Sequence, residues 1–503
     1  MFKRILIANR GEIAVRIIRA CRELDIESVA VFSDADRASL HVREADFAVN
    51  VGPPPAAESY LQTPRIIEAA SRTGAEAVHP GYGFFSENAD FARAVEAAGL
   101  TFIGPPPLAI EQMGDKVAAR KLMTAAGVPV VPGSPGTLEG EAEVRAVANR
   151  IGYPIMLKAA AGGGGKGMRL IENDHDLASL VRSVANEAKS SFGDGRFYVE
   201  KFVRRPRHIE VQVFADKYGN TVHLFERECS IQRRHQKVVE ESPSPFVTPE
   251  MRVAMGEVAV RAARAVNYVG AGTIEFLADA DRNFYFLEMN TRIQVEHPIT
   301  ELVTGTDLVK LQIRVAAGER LPFTQQELKQ NGWALECRVY AEDPAAGFAP
   351  APGKIQTMQL PDGPGIRIDA GVYPGAEVPI FYDPIICKLV AWGHDRNEAV
   401  ARMRRALDEF TISGELATNL DFHRWIVRHP LFLKGEFDTG FISQEYRPQQ
   451  DTDHDSARMA AIMAAAFVAS RDSNHAAGAP VSGSGPAPVS AWKTLGRIDN
   501  LRR

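Results

Sequence analysis

The sequence predicts a multidomain chain that mixes α/β and α+β architecture, and three observations carry that reading. Strand-like and helix-like segments alternate over the first hundred residues. A glycine-rich loop joins two more strand-like segments near residue 160. A mixed run of strands and helices follows from about residue 331. At 503 residues the chain is long enough for two or three domains with sizeable cores.

In order along the chain, "RILIAN" reads as a buried strand, Ile13 to Leu24 as an amphipathic helix and "SVAVFS" as the next strand. "EAVHP" and "TFIGP" are later strands with helices between them, which predicts a Rossmann-like, mostly parallel sheet under helical cover. The first turn, "ANRGEIA", has one glycine and no GxGxxG, so a nicotinamide site is poorly supported there. A second region starts near Met113 and runs to about residue 320. A third begins at "ALECRVYAEDP" and extends to about Tyr446. Beyond it, "QQDTDHDS" is polar, "ARMAAIMAAAFVAS" can form one helix, and "HAAGAPVSGSGPAPVS" has linker composition. This tail is expected to be disordered, or ordered only against a partner.

A net charge of −5 gives no broad electrostatic case for nucleic acid or an anionic membrane. The N-terminal apolar run is too short for a signal peptide and no run is long enough to span a bilayer, so a cytoplasmic location is expected. Cys21, Cys229, Cys337 and Cys387 show no CxxC spacing and are expected as buried free thiols.

The loop "GGGGKGM" fails as a Walker A motif, because Gly167 follows Lys166 where Ser or Thr must hold magnesium. Gly162, Gly164 and Gly167 satisfy GxGxxG, but strand-like "YPIMLKAAA" precedes the loop and strand-like "MRLIE" follows it. A hairpin with glycines at its tip is a flap whose backbone N–H groups can close over phosphate oxygens. Lys158 strengthens this reading, since an unpaired ammonium in "PIMLKAA" would be costly without a phosphate or a carboxylate beside it.

"GTIEFLA" and "NFYFLEMN" read as paired strands. A turn centred on Asp281-Arg282 sets Glu275 opposite Glu288, a repulsive pairing that a divalent cation would relieve. Asn290 falls on the same face as Glu288, and two carboxylates with an amide oxygen suit Mg²⁺ or Mn²⁺. Arg292, Gln294 and Glu296 follow at spacing two, giving a fork for a small oxyanion and a candidate general base. Gln232, Arg233, Arg234, His235 and Lys237 cluster in "ECSIQRRHQKVVEE", either as a solvated loop or as a polyanion site completing the phosphate pocket. The combination favours a ligase that forms an acyl phosphate. The lack of HRD and DFG excludes a protein kinase.

These residues sit in "IANRGEIAVRIIRA", "HPGYGFFSENADFA", "MGDKVAARKLM", "GGGGKGM", "RHIEVQVF", "ECSIQRRHQKVVEESPSP", "EMNTRIQVEHPITE" and "ECRVYAEDP", and the chain to about residue 446 closely resembles biotin carboxylase of the ATP-grasp superfamily. The resemblance implies an N-terminal domain (1–113), an ATP-grasp domain (114–330) with a glycine-rich lid at about 131–203, a mixed α+β C-terminal domain (331–446), and a linker or docking tail (447–503). It implies that Lys116, Lys158 and His235 contact ATP phosphates under the Gly164-Gly165 backbone, that Glu200, Lys201 and Val203 hold adenine, and that His208 faces the ribose. Glu275, Glu288 and Asn290 would bind Mg²⁺ or Mn²⁺. Lys237, Arg292, Gln294 and the Val295 backbone would bind bicarbonate, with Glu296 as base. Arg338 would steady the biotin enolate, and Tyr82 would lie beside biotin. Phe85 replaces the family's usual leucine, an apolar exchange. No "MKM" is present, so biotin is expected on a separate carrier protein, with a separate carboxyltransferase and a homodimeric enzyme. The competing readings are a different ATP-grasp ligase and a non-catalytic nucleotide-binding scaffold.

Overall fold

The computed structural model of the protein describes residues 1–138, 140–159, 168–192, 196–234, 236–448 and 463. β1 (Arg4–Ile7), β2 (Glu27–Ser33), β3 (Phe47–Gly52), β4 (Ala77–His79) and β5 (Thr101–Phe102) form a parallel sheet in the order β3-β2-β1-β4-β5. Ile5, Leu6 and Ile7 are wholly buried, which explains the unbroken apolar run of β1, because helices cover both faces. The first helix is Gly11–Arg22 rather than Ile13–Leu24. Gly11 takes the left-handed conformation, which permits the sharp turn into the helix, and Asp25 at φ 55° turns the chain so that Ile26 N–H reaches Cys21 O at 2.9 Å.

β6 (Ile155–Ala159), β7 (Met168–Ile171) and β8 (Phe197–Lys201) form a separate antiparallel sheet, β7-β6-β8. Helices Glu141–Ile151 and Leu177–Phe192 pack on it around Val144, Leu157, Val181 and Phe197. The strand-loop-strand reading of the glycine region therefore stands at both of its strands. Gly164, Gly165, the helix-forming stretch after residue 456 apart from Met463, and the linker after it lie outside the described residues.

The centre of the molecule is one eight-stranded antiparallel sheet. Its order is β13 (Phe284–Asn290), β12 (Gly270–Ala278), β9 (Arg207–Ala215), β10 (Thr221–Arg233), β11 (Gln236–Ser242), β14 (Trp333–Tyr340), then strands Ile385–Gly393 and Ile366–Ala370. The β11–β14 pairing, with Val239 opposite Cys337, carries the sheet from the central region into the C-terminal one. Residues 1–447 make one compact unit. Along these strands apolar side chains enter the cores, while polar ones at alternate positions share the other face: His208, Glu210 and Gln212 alternate with Ile209, Val211 and Val213. That polar face carries the site. All four cysteines are buried and free. No helix among the described residues is long and apolar enough to cross a membrane.

Candidate active site

One row of the sheet concentrates charge. Glu288 on β13 faces Glu275 on β12, Glu275 faces Glu210 on β9, and Glu210 faces Arg227 on β10. Three carboxylates in adjacent register demand cations, and Lys237 supplies one from β11. Its Nζ donates to Glu275 Oε1 and Glu296 Oε1, each at 2.7 Å, and to Glu210 Oε2. Burial alone would lower this ammonium, but Glu210, Glu275 and Glu296 outweigh it and hold Lys237 well above the usual lysine range. The reciprocal effect keeps Glu275 and Glu296 well below the usual carboxylate range despite burial, with Lys237 the leading cause in each.

The loop after β13 folds back over this row. Gln294 donates to Glu275 Oε1 at 2.9 Å. Arg292 donates to Glu87 Oε2 and Asn290 Oδ1, each at 2.9 Å, while Asn290 Nδ2 donates to Glu275 Oε1 at 2.8 Å. Arg338 of β14 donates to Glu296 Oε2 at 2.8 Å and lies 2.6 Å from Glu240 Oε1. Val295 presents its carbonyl to the wholly buried Lys388 at 3.1 Å, and Lys388 is also 3.1 Å from Glu12. Tyr82 lies near this point, its ring centre 5.7 Å from Lys388 Nζ. Lys237, Arg292, Gln294, Glu296 and Arg338 thus converge in one cluster, with donors that could meet a small anion beside a carboxylate.

A cleft of about 310 Å³ opens alongside, between the β7-β6-β8 sheet and β13. It gathers Lys116, Lys158, Glu200, Glu288 and Asn290 with an apolar lining that includes Ile110, Met113, Val131 and Met289. Lys158 is not unpaired: it donates to Glu200 Oε2 at 2.5 Å, and Arg120 donates to Glu200 Oε1 at 2.6 Å. Its place in an apolar strand is therefore satisfied by a carboxylate. The Lys201 ammonium bonds Gly152 O and Tyr153 O, and neither Lys201 nor Val203 lines the cleft. His208 is buried, with Nε2 2.9 Å from Glu275 Oε2. The "RRHQK" cluster divides. Arg233 pairs with Glu342 at 2.9 Å and stacks on Phe348, Arg234 forms the exposed β10–β11 turn, and Gln232 bonds Cys229 O. His235 lies outside the described residues.

Glu288 and Glu275 are the carboxylates that could hold a divalent cation on this face, with His208 and Glu210 also close to Glu275. Among the described residues the Glu288 carboxylate has no hydrogen-bond or ion-pair partner, and burial followed by the facing Glu275 pushes it above the usual range. Asn290 turns its amide oxygen to Arg292, so its nitrogen is the end that meets Glu275.

Sequence reasoning missed Glu210, Arg227 and Glu240, all fully or almost fully buried polar members of this cluster. The signal for Glu210 was present in "RHIEVQV", where charged or polar residues occupy every second position of an otherwise apolar strand.

This architecture, a small antiparallel sheet facing a lysine- and carboxylate-lined cleft beside a buried row of charge, is that of a nucleotide-dependent ligase of ATP-grasp type. Comparisons with known proteins make the family explicit. Residues 1–110 match the biotin carboxylase N-terminal domain, 115–324 the ATP-binding domain of carbamoyl-phosphate synthase L chain, and 336–444 the biotin carboxylase C-terminal domain. The chain is 52% identical over 443 residues to biotin carboxylase 1 of Bacillus subtilis (strain 168), covering 88% of this chain and 98% of that one. It is 54% identical over 447 residues to a pyruvate carboxylase subunit of Methanothermobacter thermautotrophicus (89% and 90% covered). Identity to the propionyl-CoA carboxylase alpha chain of Ruegeria pomeroyi is 52% over 466 residues (89% and 68%). The crystal structure of a biotin carboxylase–βγ-ATP complex from Campylobacter jejuni superposes with a TM-score of 0.83 at 46% identity, covering 88% of this chain and 99% of that one. The chain belongs to the biotin carboxylase family and is an ATP-dependent carboxylase.

Proposed function

We propose that the chain carboxylates biotin presented on a separate carrier protein, using ATP and bicarbonate, as the first half-reaction of an acyl-CoA carboxylase acting on acetyl- or propionyl-CoA. The observation that carries the site reading is the sharing of one ammonium, Lys237, by Glu210, Glu275 and Glu296, beside Arg292, Gln294 and Arg338. Lys116 and Lys158 neutralise phosphate oxygens, Lys158 exchanging Glu200 for phosphate, and His235 and the Gly164-Gly165 backbone complete that grip. Glu200, Lys201 and Val203 hold adenine, and His208 faces the ribose. A divalent cation would be held by Glu275 and Glu288, and by Asn290 once its amide oxygen leaves Arg292, and would supply charge neutralisation for phosphoryl transfer.

Arg292, the Gln294 amide and the Val295 backbone orient bicarbonate. Glu296, ionised at neutral pH, takes its proton, and this requires Glu296 to slacken its bonds to Lys237 and Arg338. A bicarbonate oxygen attacks the γ-phosphorus and ADP leaves, giving carboxyphosphate. Carboxyphosphate releases CO₂, and the phosphate formed takes the ureido proton of biotin. Arg338 steadies the resulting enolate, which adds CO₂, while Tyr82 packs against the ring. The working units are 1–113, 114–330 with the lid at 131–203, and 331–446, with 447–503 as a docking tail and a homodimer as the assembly.

A second reading, the same half-reaction in a pyruvate carboxylase, is favoured by the 54% identity to the Methanothermobacter protein. ADP formation from MgATP and bicarbonate, with and without free biotin, tests the half-reaction. Biotin-stimulated, bicarbonate-dependent turnover is expected, and turnover indifferent to biotin overturns it. Supplying carrier and carboxyltransferase with acetyl-CoA, propionyl-CoA or pyruvate in turn then separates the two complexes.

A further inference from the structure

Arg227 is wholly buried, and each of its five N–H bonds has an acceptor. Nε donates to Glu210 Oε1 at 2.5 Å. Nη1 donates to Gln212 Oε1 at 2.7 Å and Thr300 Oγ1 at 2.9 Å. Nη2 donates to Thr273 Oγ1 at 3.2 Å and Gln294 Oε1 at 2.5 Å. The guanidinium is saturated and has no donor left for a substrate, so any effect on the reaction passes through another side chain. Two of its partners reach the proposed anion site: Glu210 through Lys237, and Gln294 directly from the loop. An amide whose oxygen is fixed by a guanidinium has its NH₂ fixed on the opposite side, and here that NH₂ faces the carboxylates that share Lys237, Glu275 Oε1 at 2.9 Å and Glu210 Oε2 at 3.5 Å. Flipped, the amide would offer an acceptor to a bound anion and repel it.

We infer that Arg227 is a positioning residue that locks the Gln294 amide with its donors toward the proposed anion site and so sets affinity for bicarbonate. The inference rests on Gln294 being a bicarbonate ligand, as in the function proposed above. Arg227→Lys keeps a cation beside Glu210 but cannot fork to Gln294 as well.

The test is steady-state ADP formation by the full chain, varying bicarbonate and MgATP separately, for Arg227→Lys, Gln294→Ala and the double variant. Arg227→Lys is expected to raise the KM for bicarbonate about tenfold while the KM for ATP stays within about twofold. The double variant is expected to match Gln294→Ala, because the two changes remove one interaction. A merely structural role would lower the active fraction or both specificity constants together, and that pattern overturns the inference. So does an unchanged bicarbonate KM in Arg227→Lys when Gln294→Ala raises it. An unchanged bicarbonate KM in Gln294→Ala overturns the ligand assignment itself, and the inference with it. If Arg227→Lys yields no folded protein, the isosteric Thr273→Val frees the same Nη2. A rise of about threefold is then expected, and no rise overturns the proposal.

Discussion

Glu288 faces Glu275 because Leu287 bulges out of the ladder between them. From Ala278–Phe284 to Phe276–Phe286 the two strands pair one for one about Asp281, and continuing that count would set Leu287 against Glu275. The extra residue brings Glu288 into register and moves the core-facing position from Phe286 to Met289, leaving Leu287 exposed. The resulting acidic pair is costly without a cation. Glu288→Gln is therefore expected to raise the Mg²⁺ or Mn²⁺ concentration for half-maximal ADP formation by about 10–100-fold, while the thermal midpoint holds or rises. Metal titration of turnover with parallel thermal melts checks this, and an unchanged metal requirement removes Glu288 from the site.

Lys237 holds three buried carboxylates together, so Lys237→Met should do more than abolish bicarbonate-dependent turnover. It leaves Glu210, Glu275 and Glu296 without their shared ammonium, at a cost of about 3–5 kcal/mol. In the parent, Glu275 and Glu296 are held below the usual carboxylate range against burial, with Lys237 the leading attraction in each, and the variant loses that attraction. A carboxyl depressed on folding contributes stability that is present above its unfolded value and lost as pH falls. The stability deficit of Lys237→Met is thus expected to shrink as pH falls, and urea denaturation across pH checks it. A deficit independent of pH would contradict the three-carboxylate arrangement.

Glu296→Gln removes the proposed proton acceptor at constant size. Arg338 keeps Glu240, and Lys237 keeps Glu210 and Glu275, so the fold is retained. Bicarbonate-dependent turnover should fall about 10²–10⁴-fold with little change in the KM for ATP. Loss of turnover accompanied by a matching rise in the KM for ATP would assign Glu296 to nucleotide binding instead.

What could be read from the sequence was local. The alternation in "RILIAN" through "TFIGP" pointed to the parallel sheet because both faces of such strands are buried and the pattern is continuous. The Glu275–Glu288 pairing was legible, although for an incomplete reason: the turn centres half a residue earlier than the sequence suggests, and the bulge at Leu287 makes up the difference. Long-range features left no local trace. Nothing in "KVVEE" or "ECRVY" announces that β11 pairs with β14 and joins the central and C-terminal regions in one sheet. Lys158 in its apolar strand was an invitation to a phosphate, yet Glu200 on the neighbouring strand answers the same electrostatic need. Arg227 looked like any charge in "FERECS", because saturation by five partners depends on β9, β12, the loop bearing Gln294 and the helix bearing Thr300 meeting in space.

Glu12 gives a prediction with a definite sign. It sits in the first helix, wholly enclosed, 3.1 Å from Lys388, whose ammonium also holds the Val295 carbonyl. Burial pushes the Glu12 carboxyl from its ordinary value of 4.5 up to about 7, against the pull of Lys388. Between those values the folded chain binds a proton that the unfolded chain has lost, so folding stability falls as pH rises through this window. The contribution is complete below pH 4.5 and lost above about 7, amounting to up to about 3 kcal/mol. Glu12→Gln keeps the shape and removes the titration. Relative to the parent, the variant should gain stability steadily as pH is raised from 4.5 to about 8. Denaturation midpoints of the two proteins that run parallel across that range would show that Glu12 is already ionised when buried, held so by Lys388.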